Sequence, residues 1–294
     1  MRVNPNPYPD LLTALAASEQ QQNTDLLQLS SGRRVNTPSD DPAAAAQLIQ
    51  NLAQTAQADS FQSTASTING QLQTADSTLN SVVTALQRAL SLGIEGANGT
   101  LSDSNRAAIT AELQGIQNQL VSLANTSYQG QYIFSGTLQT QPYVVDSTAA
   151  SGVRYDGNNG VNSVTIGTGY PLQVNLPGSQ LFSSPSGDVF LAMHDLISAM
   201  TTNTNIQSAV AGVSNAYNFV TAQRVFYGNG MNQITAQNTF LASQTTQLAS
   251  QQNTLVGADV ASVATDLSTS ETARTAALTA IGQRPRTSLF DYLA

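Results

Sequence analysis

Three places in the 294-residue chain carry residue types that could do chemistry. His194 is the sole histidine, so any Ser-His-Asp arrangement would have to be built around it. It sits in Phe190-Leu191-Ala192-Met193-His194-Asp195-Leu196-Ile197, an amphipathic helical pattern in which it reads as an ordinary surface or boundary residue. Asp156-Gly157-Asn158-Asn159-Gly160 starts like a calcium-binding loop but lacks the alternating oxygen ligands and the closing glutamate. A tight hairpin turn accounts for it better. Asp40 and Asp41 are paired carboxylates of the kind used in acid–base work. Directly before Pro42, they are better placed to bond the free N–H groups of a starting helix. There is no phosphate-binding glycine loop, no dinucleotide fingerprint and no His-based metal spacing. Cysteine is absent, which removes disulfides and thiolate metal sites. The expectation is no catalytic, cofactor-binding or metal-binding residue, and no enzyme.

The composition points toward protein surface as the partner. Charged residues make up 10% of the chain, against about 25% in ordinary globular proteins. Gln, Asn, Ser, Thr and Ala take the places where a solvated helix would carry Glu and Lys. The net charge is −8 and every basic residue is arginine, so no basic patch exists to follow a phosphate backbone, and nucleic acid is excluded as a partner. No apolar run is long enough to span a bilayer, so membrane insertion is not expected. The opening MRVNPNPYPD carries prolines where a secretory signal would carry an apolar core. Export, if it occurs, is expected without a cleaved signal.

The elements follow from periodicity. After Asp41-Pro42, apolar residues run Ala45, Leu48, Ile49, Leu52, Ala56, then Ala65, Ile68, Leu72, Ala75, Leu79, Val82, Leu86 and Ala89. From Ala65 the steps alternate three and four, a heptad seam. This predicts a helix of roughly 50 residues, ending near Gly93–Gly96, which calls for a coiled-coil or rod-like setting. A second helix is expected from Asp103 or Ser104, with Ile109, Leu113, Ile116, Leu120 and Leu123 as its seam. A third carries Val213, Tyr217, Val220, Tyr227, Met231, Ile234, Leu241, Leu248 and Leu255. Between them, short β-branched and aromatic runs from about 131 to 190 are separated by turn-formers, which predicts a small β-rich insert. The fold class is therefore mainly α with a β-rich insert: a long coiled-coil-like helical rod and a small outer β domain. The expected limits are 1–40 with 258–294 for the terminal layer, 41–137 with 196–257 for the helical part, and 138–195 for the insert.

The two ends form the last layer. Leu12, Leu15, Leu26 and Leu29 make one helical stripe; after an Asp259 cap, Val260, Val263, Leu267, Ala277 and Ile281 make another. Both are padded with Gln, Ser, Thr and Ala, too weak to be stable as lone helices in water. They are expected to pair with each other or with neighbouring subunits, or to stay disordered until assembly. Leu26, Leu29, Val263 and Leu267 are the expected assembly contacts, joined by Leu289, Phe290 and Leu293 in an otherwise polar C-terminus.

Leu29-Ser30-Ser31-Gly32-Arg33-Arg34-Val35-Asn36-Thr37-Pro38-Ser39-Asp40-Asp41-Pro42-Ala43-Ala44-Ala45 resembles the N-terminal signature of the flagellin superfamily. The Pro-Ser-Asp-Asp-Pro core, the opening Met1-Arg2-Val3 and the closing Ser288-Leu289-Phe290-Asp291-Tyr292-Leu293 are similar to its hook–filament junction branch. Gly130-Gln131-Tyr132-Ile133-Phe134-Ser135-Gly136-Thr137 resembles the segment at the exit from that family's helical domain, and Tyr155-Asp156-Gly157-Asn158 and Val164-Thr165-Ile166 the strands that follow. The Pro-rich Asn4–Pro9 departs from the pattern. The resemblance implies a structural flagellar protein, exported unfolded and self-associating into a ring at the end of the hook. It further implies contacts with another hook-associated junction protein and with flagellin, and an export chaperone on the C-terminal segment. A short flagellin forming the filament itself is the nearest alternative; an enzyme or ligand-binding module in the insert is a distant one.

Overall fold

A computed structural model describes residues 8–282 of the chain. Seven helices and eight very short strands follow one another in these residues. Helices α1 (Tyr8–Ser31), α2 (Pro42–Gly96) and α3 (Asp103–Ala124) come first. Strands β1 (Ser127–Tyr128), β2 (Gln131–Tyr132), β3 (Tyr143–Val145), β4 (Val153–Tyr155), β5 (Ser163–Thr165) and β6 (Pro171–Gln173) follow. After the single turn α4 (Gly178–Leu181) come β7 (Ser183–Ser184) and β8 (Gly187–Asp188), then α5 (Val189–Thr202), α6 (Ile206–Val256) and α7 (Val260–Gly282). The chain divides into two compact units, 58–243 and 1–57 with 244–294, and α2 and α6 each contribute to both.

In the unit 58–243 the heptad seam is the core. Ala65, Leu72, Ala75, Leu79, Val82, Leu86 and Ala89 are completely buried, against Ile109, Leu113, Ile116 and Leu120 of α3 and Val213, Val220, Tyr227 and Ile234 of α6. Arg224 on α6 grips Asp76 on α2 with two hydrogen bonds, Nε–Oδ1 at 2.8 Å and Nη2–Oδ2 at 2.9 Å, and its Nη1 donates to Asn80 Oδ1. The helix α3 is capped one residue earlier than its sequence suggests. Ser102 Oγ accepts from Asn105 N at 3.3 Å, because Ser102 holds the extended backbone that a cap requires while Asp103 is already helical.

The strands form four two-stranded antiparallel hairpins. Strands of two or three residues carry too little ladder to stand alone, and aromatic packing secures them. Phe134 and Phe182 meet edge to face at 5.2 Å between ring centres, and Tyr143 packs on Phe182, Phe190 and Tyr155. This cluster is continuous with the helical seam. Asp156–Gly160 is not a hairpin turn. It links β4 to β5, which belong to different hairpins. Asn158 shapes it: its Oδ1 accepts from Thr137 N at 2.8 Å and from Gly160 N at 3.0 Å.

In the other unit α1 and α7 pack antiparallel. Gly32 O accepts from Ala258 N at 3.0 Å at one end, and Ser18 Oγ donates to Ser270 O at 3.1 Å further along both helices. The adjoining stretches of α2 and α6 meet through amides, Asn51 with Gln251 and Gln252 with Thr55. Ile49, 65% exposed, and Leu52 point outward, whereas Ala45 is buried and Leu48 packs on the cluster that includes Val256, so the apolar stripe read ahead of Ala58 is split between the α6 contact and the surface.

Candidate functional site

The loop between α1 and α2 is built by its carboxylates. Gly32 takes φ +66°, a left-handed conformation that lets the chain leave α1 sharply. Arg34 N then donates to Val256 O at 2.7 Å, and the Arg34 guanidinium bonds both Leu255 O and Asp41 at 3.0 Å. Asp40 and Asp41 have different tasks. Asp40 Oδ2 accepts from Asn36 N and Thr37 N, and its Oδ1 from the Thr37 hydroxyl, closing the turn before α2. Asp41 caps α2, its Oδ1 accepting from Ala44 N at 3.0 Å. Both carboxyls lie below their usual range: Asp40 through the Thr37 backbone and side-chain bonds and the Asn36 backbone bond, Asp41 through the Ala44 N–H and then Arg34. Val35, Ala44 and Val256 form a small buried cluster beneath, with Leu48 and Leu255 against it. The loop thereby ties the start of α2 to the end of α6.

The α1–α7 contact is mixed, with polar and apolar side chains buried together. The α1 side facing α7 presents Leu15, Ser18, Gln22 and Asp25, spaced three, four and three. Asp25 is 3% exposed; its Oδ1 accepts from Gln21 Nε2, while its Oδ2 and the buried Gln22 Nε2 have no partner. Opposite stand Val263, Leu267 and Ser270, with Arg274 reaching Glu19 at 3.6 Å and Gln22 at 3.5 Å. Apart from Leu15 and Leu267, which are half-buried, the leucines of the pair with described side chains lie outside. Leu26 is 50% exposed and Leu29 38%, alongside Leu12, Leu27, Val260 and Leu278. Of the residues expected to make assembly contacts, Val263 is buried against α1, Leu267 is half-buried, and Leu26 and Leu29 are open. Leu289, Phe290 and Leu293 lie outside the described residues, as does the side chain of Ile281.

His194 is exposed on α5 and Asp195 beside it is likewise exposed. Among the described residues, no group of three His, Cys, Asp or Glu could hold a metal ion. No described helix is long and apolar enough to cross a membrane. The residues missed in the sequence are Gln22 and Asp25. Their three- and four-residue spacing from Leu15 and Ser18 is a seam signal, hidden because two polar residues stand where a seam ordinarily carries apolar ones.

Comparison with known proteins agrees with this arrangement. Residues 6–139 match the bacterial flagellin N-terminal helical region, and residues 210–293 the bacterial flagellin C-terminal helical region. Flagellar hook-associated protein 3 of Salmonella typhimurium is 29% identical over 262 residues, 80% of this chain and 81% of that protein. Flagellin D of Vibrio anguillarum is 28% identical over 202 residues, which cover 66% of this chain but 53% of the flagellin. Flagellar hook-associated protein 3 from Legionella pneumophila superposes with a TM-score of 0.64 at 15% identity, over 72% of this chain and 98% of that one.

Proposed function

The chain belongs to the flagellin superfamily, and from that premise we propose that it is the structural subunit joining hook to filament. The observation that carries this reading is the row of open apolar residues on the α1–α7 pair, Leu12, Leu26, Leu27, Leu29, Val260 and Leu278. Open leucines outside a mixed seam suit helices that neighbours cover, since burying apolar surface between subunits is the main drive for association. Mutual coverage of about four fifths with a hook-associated protein, against about half of a flagellin, favours the junction over the filament.

In the assembled state the subunits close into a ring through head-to-tail contacts. Residues 1–40 with 258–294 order as an inner layer, 41–137 with 196–257 form the next shell, and 138–195 face outward. One face of the ring meets another hook-associated junction protein and the other meets flagellin. The protein acts outside the cell, in a structural role. Before export a chaperone holds the C-terminal segment through Leu289, Phe290 and Leu293.

Assembly of the purified chain tests this. Alone or with hook ends, it should stop at a ring-sized particle, and Leu26→Ser with Leu29→Ser should block that step while circular dichroism stays unchanged. Long filaments grown from the chain alone would overturn the junction reading.

A further inference from the structure

A cavity of about 410 Å³ opens in the unit 58–243, where α2, the β1–β2 hairpin and the segments around Gly136 and Asn162 converge. This is within the range of small-molecule sites, which run from about 300 to 1,000 Å³. Its floor is apolar and closed, with Ile68 and Ile133 buried. Its far wall is locked by Asn175, 1% exposed. Asn175 Nδ2 donates to Gly136 O at 3.1 Å and Gly160 O at 3.2 Å, and its Oδ1 accepts from Asn162 N at 2.7 Å. That wall is thus fixed before any ligand arrives, which lowers the entropic cost of binding there.

The rim has a different character. Two tyrosines, Tyr128 and Tyr132, stand half-buried with their hydroxyls unpaired, and the amides of Gln71, Gln129, Gln131 and Gln139 also lack a partner among the described residues. No charged side chain lines the cavity. Gln129 is one of three described residues other than glycine with positive φ, +51°, in the two-residue turn it forms with Gly130. Glycine or asparagine would occupy that position with less strain. The strained backbone carries a free amide beside the cavity mouth.

We propose that this cavity binds a neutral saccharide. A sugar ring offers an apolar face of C–H groups to an aromatic side chain and a fan of hydroxyls that both donate and accept. Each glutamine can answer two neighbouring hydroxyls at once, through its carbonyl and its NH₂. Tyrosine supplies rigid apolar area with a polar tip. The absence of charge around the rim selects against phosphorylated, sulfated or acidic sugars, which would lose hydration without gaining a countercharge. The site does not depend on assembly, because every lining residue belongs to one unit of one chain.

The test uses the full chain as a monomer, titrated by calorimetry with maltotriose and with the N-acetylglucosamine trimer, after a screen on an array holding neutral and acidic glycans. Neutral glycans should bind and acidic ones should not. Gln71→Ala, and separately Gln129→Gly, which relieves the turn, should each weaken binding at least fivefold with an unchanged circular dichroism spectrum. No neutral glycan bound, preference for acidic glycans, or binding unaffected by both substitutions would each overturn the proposal.

Discussion

Asp40 and Asp41 look interchangeable in the sequence, yet one closes a turn and the other starts a helix. Because hydrogen bonds hold both carboxyls below their usual range, their contribution is fully present above the unfolded value of about 3.9. It is lost as the pH falls through their lower folded values. Acid titration followed by NMR should show the Asn36, Thr37 and Ala44 amides losing protection only below that unfolded value. Asp40→Asn should remove the dependence at Asn36 and Thr37 and leave Ala44 unaffected. Asp25 poses the opposite problem. A carboxylate oxygen buried without a partner costs stability, so Asp25→Leu should stabilise the α1–α7 pair by about 1–2 kcal/mol in thermal or denaturant unfolding. A loss of stability would mean that the carboxylate does bond in the folded chain. The cap at Asp41 was legible from the adjacent Pro42. The Asp40 turn was not, since its partners are backbone N–H groups that leave no residue signature.

At the scale of elements, the heptads of α2, α3 and α6 were readable because most apolar steps of three or four landed on buried positions, with Leu123, Tyr217, Met231 and Leu255 half-buried. The strands were readable as texture but not as pairing. Strands of two or three residues hold no register information, and the contacts that fix them, Phe134 on Phe182 and Tyr143 on Phe190, join residues far apart in sequence. The close approach of α2 to α5 and α6 was also invisible. A Cβ at Gly93 would lie 2.7 Å from Val210 Cγ2 and 3.3 Å from Leu196 Cδ1. Alanine is ordinarily favoured over glycine in a helix by about 1 kcal/mol, but Val210 is β-branched and cannot swing aside. Gly93→Ala should therefore destabilise by about 1–3 kcal/mol through overpacking. Stabilisation in denaturant unfolding would refute that contact. Exchange rates should contrast too. Amides of α1 and α7, joined by a mixed seam with few buried apolar residues, should exchange much faster in the monomer than those of α2 between residues 65 and 89. Equal protection would count against a terminal pair completed by its neighbours.

For the whole molecule, α2 and α6 each pass from the unit 58–243, with its long buried seam, into the other unit, where Ile49, Leu52, Leu26 and Leu29 are open while Val35, Ala44, Val256 and Val263 are buried. The sequence shows this difference as composition, a low share of charge with amides and hydroxyls between sparse leucines, and under the proposed assembly the exposed Leu26 and Leu29 are the side chains a neighbour covers. The most direct test of the junction role is deletion of the gene in its own bacterium, scored by electron microscopy and by immunoblotting flagellin in the medium. Hooks without filaments, with flagellin shed into the medium, are the predicted result. Filaments still attached to hooks would contradict it.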